Sequence, residues 1–407
     1  MSSEWINTTI GEQIQLQRGV DITKRDFKEG TIPVVSSGGI GGFHNTFTGV
    51  APGVILGRKG LVGSVYYLST DYWAHDTTLW VKDFKGNHPK YIYYFFQSLT
   101  ATLKNLDVGS ANPTLNRNHV HPIETRWAPI EEQKAIAHIL GTLDDKIELN
   151  RKTNETLEAM AKALFKSWFV DFDPVRAKAE GRPTGLPAEI SNLFPDSFED
   201  SELGEIPSGW EVKALDEIAH FLNGLALQKY PPENGATTLP VIKIAQLKKG
   251  DSIGADRCST AVPSDYVVRD GDMLFSWSGS LAVDIWCGGD GALNQHLFKV
   301  TSKTYSKWFF YQWVNHYLPD FQEIAQGKAT TMGHIQRHHL SEAKVLIPPP
   351  SLLAAMDSTF TALLDRSFGS RRQSKDLASI RNALLPKLIS GEIRIPDAEK
   401  MLEEAGI

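Results

Sequence analysis

The sequence predicts an α+β protein in which two duplicated α/β domains are separated by two long helices that form a pseudo-two-fold, antiparallel coiled coil. Two observations support this prediction. The second half of the chain repeats the first in the same order, and a heptad pattern follows each copy of the repeat. The expected segments are a first domain at 1–128, a central helical spacer at 129–170, an acidic Pro-rich linker at 171–209, a second domain at 210–348, a distal helical spacer at 349–390 and a C-terminal tail at 391–407.

Composition excludes several classes of protein. The 407 residues carry 42 basic and 48 acidic side chains, for a net charge of −6, and 22% of all residues are charged. These values exclude a disordered chain and a strongly basic one. Two cysteines are too few for a zinc cluster or a disulfide framework, so a reducing compartment is expected. No apolar run approaches the roughly 20 residues of a membrane span. We therefore expect a cytoplasmic protein with no membrane partner.

The repeat is collinear, although its offset drifts from 205 residues between Trp5 and Trp210 to 220 residues between Pro129 and Pro349. Between these ends, residues 32–35 match residues 239–242, and the aromatic run at 90–94 matches that at 307–311. Chance similarity between two apolar segments would not keep this order over the length of a domain. A duplication is therefore the better explanation.

Each copy begins with short β-rich runs between Gly-rich turns, which in the first copy lie at residues 54–56, 64–68 and 77–81. An aromatic helix is expected to follow, at 89–99 in the first copy and at 305–318 in the second. Strands followed by a helix indicate an α+β domain.

The spacers follow a helical period, because apolar or semi-polar residues recur after Pro129 at steps of four and three, the pattern of a coiled-coil seam. Asn150 and Asn154 at the polar midpoint are expected to face serines and to fix the register of an antiparallel pair. The alternative is that each helix packs on its own domain, but a seam this long exceeds one small domain. The predicted seam residues are Ile136, Leu140, Leu143, Ile147, Asn150, Asn154, Leu157, Ala161, Leu164 and Trp168 in the first helix, and Met356, Phe360, Leu363, Ser367, Ser370, Ser374, Leu377, Arg381, Leu384 and Leu388 in the second.

The acidic charge is concentrated around the linker, since residues 171–211 carry 3 basic and 10 acidic side chains. Subtracting this −7 from −6 leaves the rest of the chain at +1. With several prolines and no helical period, the linker is expected to be an extended connection. The overall acidity therefore does not exclude a polyanionic partner.

The sequence contains none of the enzyme motifs that we searched for. The loop at 57–64, Gly-Arg-Lys-Gly-Leu-Val-Gly-Ser, lacks the lysine that follows the last glycine of a phosphate-binding loop. His334 and His338 have the spacing of a metal-binding pair but no third ligand, so a surface pair is expected. We find no nucleophile elbow, methyltransferase loop or nuclease motif. The sequence therefore predicts no catalytic residue, no bound cofactor and no metal site.

Polar side chains in and after the Gly-rich loops are candidates for binding DNA. Arginine, lysine, asparagine and glutamine supply the donors that contact phosphates and base edges. Each also has an ordinary explanation, as a solvated loop residue or a helix cap. The predicted contacts are Arg58, Lys59, Asn116 and Arg117 in the first domain, and Lys328, Thr330, Gln336 and Arg337 in the second.

Four segments carry a resemblance to a known family. They are Gly57-Arg58-Lys59-Gly60 within 53–63, the helix opening Pro-Ile-Glu-Glu-Gln at 129–133, residues 166–174, and Ile-Pro-Ser-Gly-Trp at 206–210. With the duplication, the chain resembles the specificity subunit of a type I restriction-modification system. The resemblance implies two target recognition domains, each reading one half of a split DNA site, and two spacers that pair antiparallel. The chain departs from the pattern at Leu352-Leu353, where the second helix lacks the Glu132-Gln133 of the first.

The resemblance also implies partners. These are double-stranded DNA, two methyltransferase (modification) subunits that grip the spacers and bind S-adenosylmethionine, and restriction or translocase subunits that can join. This chain itself would catalyse nothing. Two unlike readers on a rigid pair of helices predict a bipartite, asymmetric site with halves about 10 base pairs apart. Two alternatives stay open: a self-contained DNA-modifying enzyme, and a coiled-coil scaffold that binds no nucleic acid.

Overall fold

The computed structural model of the chain describes residues 4–106, 114–327 and 333–404. The chain divides into two compact units: unit 1 comprises Met1–Glu148 and Lys375–Ile407, and unit 2 comprises Leu149–Ser374. This division cuts both long helices. Each unit therefore contains one copy of the repeated domain together with one part of each long helix.

The N-terminal part of unit 1, up to residue 148, is built from short strands, an aromatic helix and the first part of a long helix. Its elements are β1 (Ile6–Thr9), α1 (Ile10–Gln13), β2 (Gln15–Arg18), β3 (Ile32–Ser36), β4 (Gly39–His44), β5 (Gly53–Gly57), β6 (Val65–Leu68), β7 (Trp73–Ala74), β8 (Thr78–Asp83), α2 (Pro89–Ser98), α3 (Thr100–Asn105), α4 (Arg117–Val120), β9 (Glu124–Trp127) and the start of α5 (Ile130–Phe165). One sheet has the order β2-β8-β5-β6 and another the order β4-β3-β7, and β1 pairs with β9.

Helix α2 is the aromatic helix expected at 89–99. It begins at Pro89, because a proline at the first helical position needs no partner for its nitrogen. The ring of His88 caps the helix by accepting a hydrogen bond from the backbone N–H of Tyr91 at 3.4 Å. Its buried side chains pack against β5 and β6. They are Tyr91, Ile92, Tyr94, Phe95 and Phe96.

Unit 2 repeats this plan. After the rest of α5, its elements are α6 (Asp173–Ala179), α7 (Ala188–Ser191), β10 (Phe198–Ser201), β11 (Gly204–Pro207), β12 (Glu211–Ala214), α8 (Leu215–Ile218), β13 (His220–Asn223), β14 (Thr238–Ile242), α9 (Ile244–Lys249), β15 (Arg257–Ser259), β16 (Val267–Val268), β17 (Met273–Ser276), β18 (Val283–Ile285), β19 (Gly291–Leu293), β20 (Leu297–Thr301), α10 (Lys307–Gly327), α11 (Arg337–Glu342), β21 (Lys344–Ile347) and the start of α12 (Pro350–Ser390).

The strand order of unit 2 confirms the duplication. Its sheet β13-β20-β17-β18 is connected like the sheet β2-β8-β5-β6 of unit 1, and β12 pairs with β21 as β1 pairs with β9. A second sheet has the order β15-β14-β19-β16. Helix α10 corresponds to the aromatic helix expected at 305–318 and continues beyond that range to Gly327. The predicted α+β class with two repeated domains is confirmed.

The two long helices run antiparallel within each unit. In unit 1, Arg381 near the end of α12 forms an ion pair with Asp144 of α5 at 2.5 Å. In unit 2, Asn150 donates a hydrogen bond to Gln373 at 2.9 Å, and the rings of Trp168 and Phe360 lie 6.0 Å apart. Later residues of α5 thus meet earlier residues of α12. A turn of π-helix, Lys166–Val170, continues α5.

The predicted seam residues lie away from solvent. Those that are buried are Ile136, Leu140, Leu143, Asn150, Asn154, Ala161, Trp168, Met356, Phe360, Ser367, Ser370, Leu377, Leu384 and Leu388, and those that are half-buried are Ile147, Leu157, Leu164, Leu363, Ser374 and Arg381. In unit 1 the leucines of both helices join one apolar cluster with α2. The helices therefore pack on each other and on the domain of their unit.

The linker prediction was wrong in one respect, because residues 171–209 do not form an extended connection. They fold into α6, α7 and the β10–β11 hairpin. Val175, Phe194 and Ile206 are 0%, 1% and 4% exposed and join the main apolar cluster of unit 2. The prediction weighed the acidic and proline residues and overlooked these apolar residues between them.

The C-terminal segment is also folded. After α12, the chain forms α13 (Ile395–Glu404), whose Ala398 and Leu402 are buried in the apolar cluster of unit 1. Arg394 lies 3.7 Å from the carboxylate of Glu132 at the start of α5. The two cysteines, Cys258 and Cys287, are buried. Among the described residues, no helix is sufficiently long and apolar to cross a membrane.

Candidate nucleic-acid interface

The loop between β5 and β6 is a tight turn that carries Arg58 and Lys59. The backbone N–H of Gly57 donates to Ser64 at 2.7 Å, and that of Gly63 donates back to Gly57 at 3.0 Å. A Cβ atom on Gly57 would lie 2.1 Å from the carbonyl oxygen of Leu61, so this position requires glycine. Gly60 and Gly63 have φ values of +76° and +77°. The glycines of this loop thus have structural roles, and the loop places the cationic side chains of Arg58 and Lys59 at the turn.

A second segment joins this loop. The backbone N–H of Leu115 donates to the carbonyl of Arg58 at 2.9 Å, and Lys59 forms a β-bridge with Thr114. The side chain of Asn116 caps α4 by accepting from the N–H of Asn118 at 3.0 Å. Arg117 is the first residue of α4 and is exposed, as are Lys59 and Asn116. The structure therefore brings the four predicted residues of the first domain to neighbouring positions.

Arg58 lies in a cationic environment. Its Nη1 donates to the carbonyl of Asp76 at 3.3 Å, and Arg18 forms an ion pair with the Asp76 carboxylate at 2.9 Å. Burial lowers the pKa of the Arg58 guanidinium, the Arg18 charge lowers it further, and the Asp76 charge opposes both effects. The Asp76 carboxylate thus pairs with Arg18, whereas Arg58 contacts the backbone carbonyl of Asp76 and is followed in sequence by Lys59. A bound anion would relieve the repulsion between the guanidinium groups of Arg18 and Arg58.

Unit 2 has the same backbone arrangement. The N–H of Ile335 donates to the carbonyl of Trp277 at 2.9 Å, and Ser278 forms a β-bridge with His334. Gln336 is the N-cap residue of α11 and Arg337 its first residue. These two predicted residues lie where Asn116 and Arg117 lie in unit 1. The predicted residues Lys328 and Thr330 fall outside the described residues.

The side chains around Trp277 are aromatic. Its ring lies 5.9 Å from His296, 6.0 Å from Phe298 and 6.3 Å from His334. Arg337 lies over the ring of Phe298 at 5.6 Å and donates to the Phe221 carbonyl at 3.3 Å. Sequence reasoning missed Trp277, because the segment Trp-Ser-Gly-Ser at 277–280 carries no cation. The signal that could have found it is the repeat itself, since Trp277 lies at the position of Arg58.

Histidines near these surfaces do not form the pair expected from spacing. His334 precedes α11 and bridges to Ser278, whereas the ring of His338 lies 4.0 Å from that of His339. His338, His339 and Glu342 are close enough together to share an ion, as are Asp21, His75 and Asp76. In the second group, both ring nitrogens of His75 already lie within hydrogen-bond distance of protein oxygens, at 2.9 and 3.2 Å.

The Glu-Gln pair that opens α5 has a structural role in unit 1. Gln133 is 1% exposed, donates to Asn87 at 2.7 Å and to the Ala128 carbonyl at 2.8 Å, and accepts from the His88 N–H at 2.9 Å. Glu132 accepts a hydrogen bond from the indole of Trp5 at 2.6 Å. The pair therefore holds the first turn of α5 against the domain.

A model of the type I restriction modification DNA specificity domain matches residues 2–159 and 207–352, one match in each copy of the repeat. The chain belongs to this family. Its membership confirms the predicted resemblance to type I specificity subunits, and with it the prediction of a specificity subunit rather than a catalytic one.

Relatives of this specificity subunit are found in archaea and bacteria. The MjaIX type I restriction enzyme specificity subunit of Methanocaldococcus jannaschii is 28% identical over 320 residues, which cover 76% of this chain and 70% of the relative. The HindI specificity subunit of Haemophilus influenzae is 27% identical over 333 residues, which cover 69% and 71%. The crystal structure of a type I restriction-modification S subunit from M. genitalium aligns over 95% of this chain and 96% of that chain, with a TM-score of 0.61 at 17% identity. This last likeness concerns the fold.

Proposed function

We propose that this specificity subunit reads a bipartite, asymmetric site on double-stranded DNA, with unit 1 contacting one half-site and unit 2 the other. Two modification subunits are held on the long helices and bring S-adenosylmethionine, while this chain binds no cofactor and performs no catalysis. Restriction or translocase subunits can join the same assembly, which works in the cytoplasm.

The observation that supports asymmetric reading is one backbone arrangement with two sets of side chains. The hydrogen bond from Leu115 to Arg58 in unit 1 has its equivalent in the bond from Ile335 to Trp277 in unit 2. Backbone geometry positions a reader, whereas side chains at the base edges specify sequence. Two units that share a backbone geometry and differ in their side chains are expected to select different half-sites.

The proposed contacts are the residues that the sequence predicts. They are Arg58, Lys59, Asn116 and Arg117 in unit 1, and Lys328, Thr330, Gln336 and Arg337 in unit 2. Replacing the first set is expected to change one half-site and leave the other intact. A change in both half-sites would contradict modular reading.

The test is to express the full chain with and without a type I modification subunit from the same organism, and to map methylated bases in the host DNA. We expect methylation only in the presence of both proteins, at a two-part motif with unlike halves. Methylation by this chain alone would favour the self-contained enzyme. A chain that shows no salt-sensitive retention on DNA would favour the scaffold, because phosphate contacts make affinity fall steeply with salt.

A second test concerns the separation of the half-sites. Inserting one heptad after Asn150 and another after Gln373 keeps the seam in phase and lengthens each helix of the pair by about 10 Å. At about 3.4 Å per base pair, the unread gap should lengthen by roughly three base pairs. An unchanged gap in the methylated motif would contradict a spacer role for the helices.

A further inference from the structure

Positions 58 and 277 are structurally equivalent. Each follows the third strand of an equivalent sheet, β5 or β17, and each carbonyl accepts a hydrogen bond from the segment that precedes α4 or α11. The two side chains also donate hydrogen bonds to equivalent backbone carbonyls. Nη1 of Arg58 donates to the carbonyl of Asp76 at 3.3 Å, and Nε1 of Trp277 donates to the carbonyl of Gln295 at 3.1 Å. Asp76 and Gln295 are themselves equivalent, because each lies two residues before β8 or β20.

In unit 1 this position is cationic. Arg58 is followed by the exposed Lys59, and Arg18 forms an ion pair with the carboxylate of Asp76, whose backbone carbonyl accepts from Arg58. Two guanidinium groups and one ammonium group match phosphate oxygens, which accept charge-assisted hydrogen bonds from such donors. Contacts of this type release counterions and make binding salt-dependent.

In unit 2 the same position is neutral and aromatic. The indole N–H of Trp277 is already used, since it donates to Asn223 at 2.9 Å as well as to Gln295. The next residue, Ser278, is 3% exposed and lies 2.8 Å from the ring of His296. Trp277 is half-buried, so what it offers to a ligand is the apolar part of its ring. An apolar side chain in a groove contacts the methyl group of thymine.

Resting on the DNA-reading function proposed above, we propose that residues 58–59 and 277–278 are equivalent DNA-contact positions that use different chemistry, positioning in unit 1 and base reading in unit 2. Arg58 and Lys59 anchor unit 1 to phosphates, whereas Trp277 reads a thymine through apolar contact in the half-site of unit 2. The two half-sites therefore differ in how strongly their recognition depends on salt, as well as in sequence.

The first experiment measures binding of the full chain, assembled with its modification subunit, to a pool of duplexes of randomised sequence at several salt concentrations. The double variant Arg58→Gln/Lys59→Gln should reduce the slope of log K against log salt by about 1.8, which is about 0.9 for each lost phosphate contact. This change is equivalent to a roughly tenfold smaller loss of affinity between 50 and 200 mM salt. A matched control, Arg182→Gln/Lys400→Gln, removes two exposed cations elsewhere and should leave the slope unchanged.

The second experiment sequences the duplexes that each variant retains. Trp277→Ala should keep the wild-type slope but lose the preference for thymine at one position of one half-site. Trp277→Phe, which keeps an aromatic ring beside Phe298, should retain that preference, and Trp277→Gln should shift it toward adenine. Thermal melting establishes that each variant is folded, and the Phe and Gln variants carry the test where the Ala variant fails to fold.

The outcomes separate the two proposals. If the wild-type assembly retains no duplex, the DNA-reading function itself fails. If it binds but the double variant keeps the wild-type slope, or if the Trp277 variants reduce that slope or retain an unchanged motif, only the division of chemistry between the two positions is overturned.

Discussion

The indole Nε1 of Trp5 donates a hydrogen bond to the carboxylate of Glu132 at 2.6 Å, which joins the N-terminal segment to the first turn of α5. In the second copy of the repeat, Trp210 corresponds to Trp5 and Leu352 to Glu132. Nε1 of Trp210 is buried without a hydrogen-bond partner. The second copy thus has leucine at the position of the glutamate that accepts from Trp5, and its equivalent tryptophan has an unsatisfied indole N–H.

Replacing Glu132 by leucine imposes the arrangement of the second copy on the first. The variant loses the hydrogen bond from Trp5 and the attraction between the Glu132 carboxylate and Arg394. We expect the free energy of unfolding to fall by about 1–2 kcal/mol. Urea unfolding followed by circular dichroism measures the change. Glu131→Leu, at a side chain that is 79% exposed, is the control and should change stability by less than about 0.5 kcal/mol. Equal effects of the two substitutions would contradict this role of Glu132.

Gln133→Leu should be more damaging. Gln133 is buried and satisfies the N–H of His88 and the carbonyl of Ala128, and leucine would leave both without this partner. Buried polar groups that lose a partner cost about 1–3 kcal/mol each, so we expect a loss of about 2–4 kcal/mol in the same assay. Lys134→Leu, one residue later and 54% exposed, is the control. A loss below about 1 kcal/mol for the glutamine variant would show that the first turn of α5 is held by other contacts.

Asn154→Leu should stabilise the protein. Its Oδ1 is buried and has no hydrogen-bond partner, whereas the Asn150 side chain donates to Gln373. Removing an unsatisfied buried acceptor and adding apolar contact should raise the free energy of unfolding by about 1 kcal/mol. Asn150→Leu loses a hydrogen bond and should gain less. The melting temperatures of the two variants test this order, and a lower value for Asn154→Leu than for the wild type would contradict it.

Acidification should destabilise unit 1 through His121. The neutral ring of His121 accepts a hydrogen bond from the Leu16 N–H at 3.1 Å, and burial, then Arg117 and Lys85, lower its pKa. The unfolded state, with a histidine pKa of about 6.5, therefore binds the proton first as pH falls. This contribution to stability is present above about pH 6.5 and is lost at lower pH, by at most about 1.4 kcal/mol per pH unit. His121→Gln keeps an acceptor that does not titrate. Unfolding curves from pH 7.5 to 5.5 should be less pH-dependent for this variant than for the wild type, and identical dependence would contradict the assignment.

The parts of the fold that sequence predicted best are those with a strong period. The steps of four and three that place Leu140, Asn150 and Leu384 on the predicted seam also place these residues in the interior of the structure. Aromatic helix α2 was equally clear, because consecutive aromatic residues follow a proline. The hydrophobic period did not predict the fold of the connecting segment 171–209. Each of its helices and strands is too short to show a period, and single apolar residues supply the core contacts.

The candidate interface was predicted in part for a similar reason. Arg58, Lys59, Asn116 and Arg117 attract attention by charge and polarity, and the structure places them in two segments joined by backbone hydrogen bonds. Trp277 carries no such signal. Its equivalence to Arg58 follows from the repeat, which keeps the backbone positions of the two copies but not the chemistry of their side chains.

The folded connecting segment also determines how this protein can be cut into pieces. Val175, Phe194 and Ile206 are at most 4% exposed and lie in the same apolar cluster as Trp210. A recombinant fragment that starts at residue 210, the start suggested by the repeat, would leave its hydrophobic partners behind and expose their binding surface to water. Such a fragment should aggregate, whereas one that starts ahead of α6 keeps its own cover.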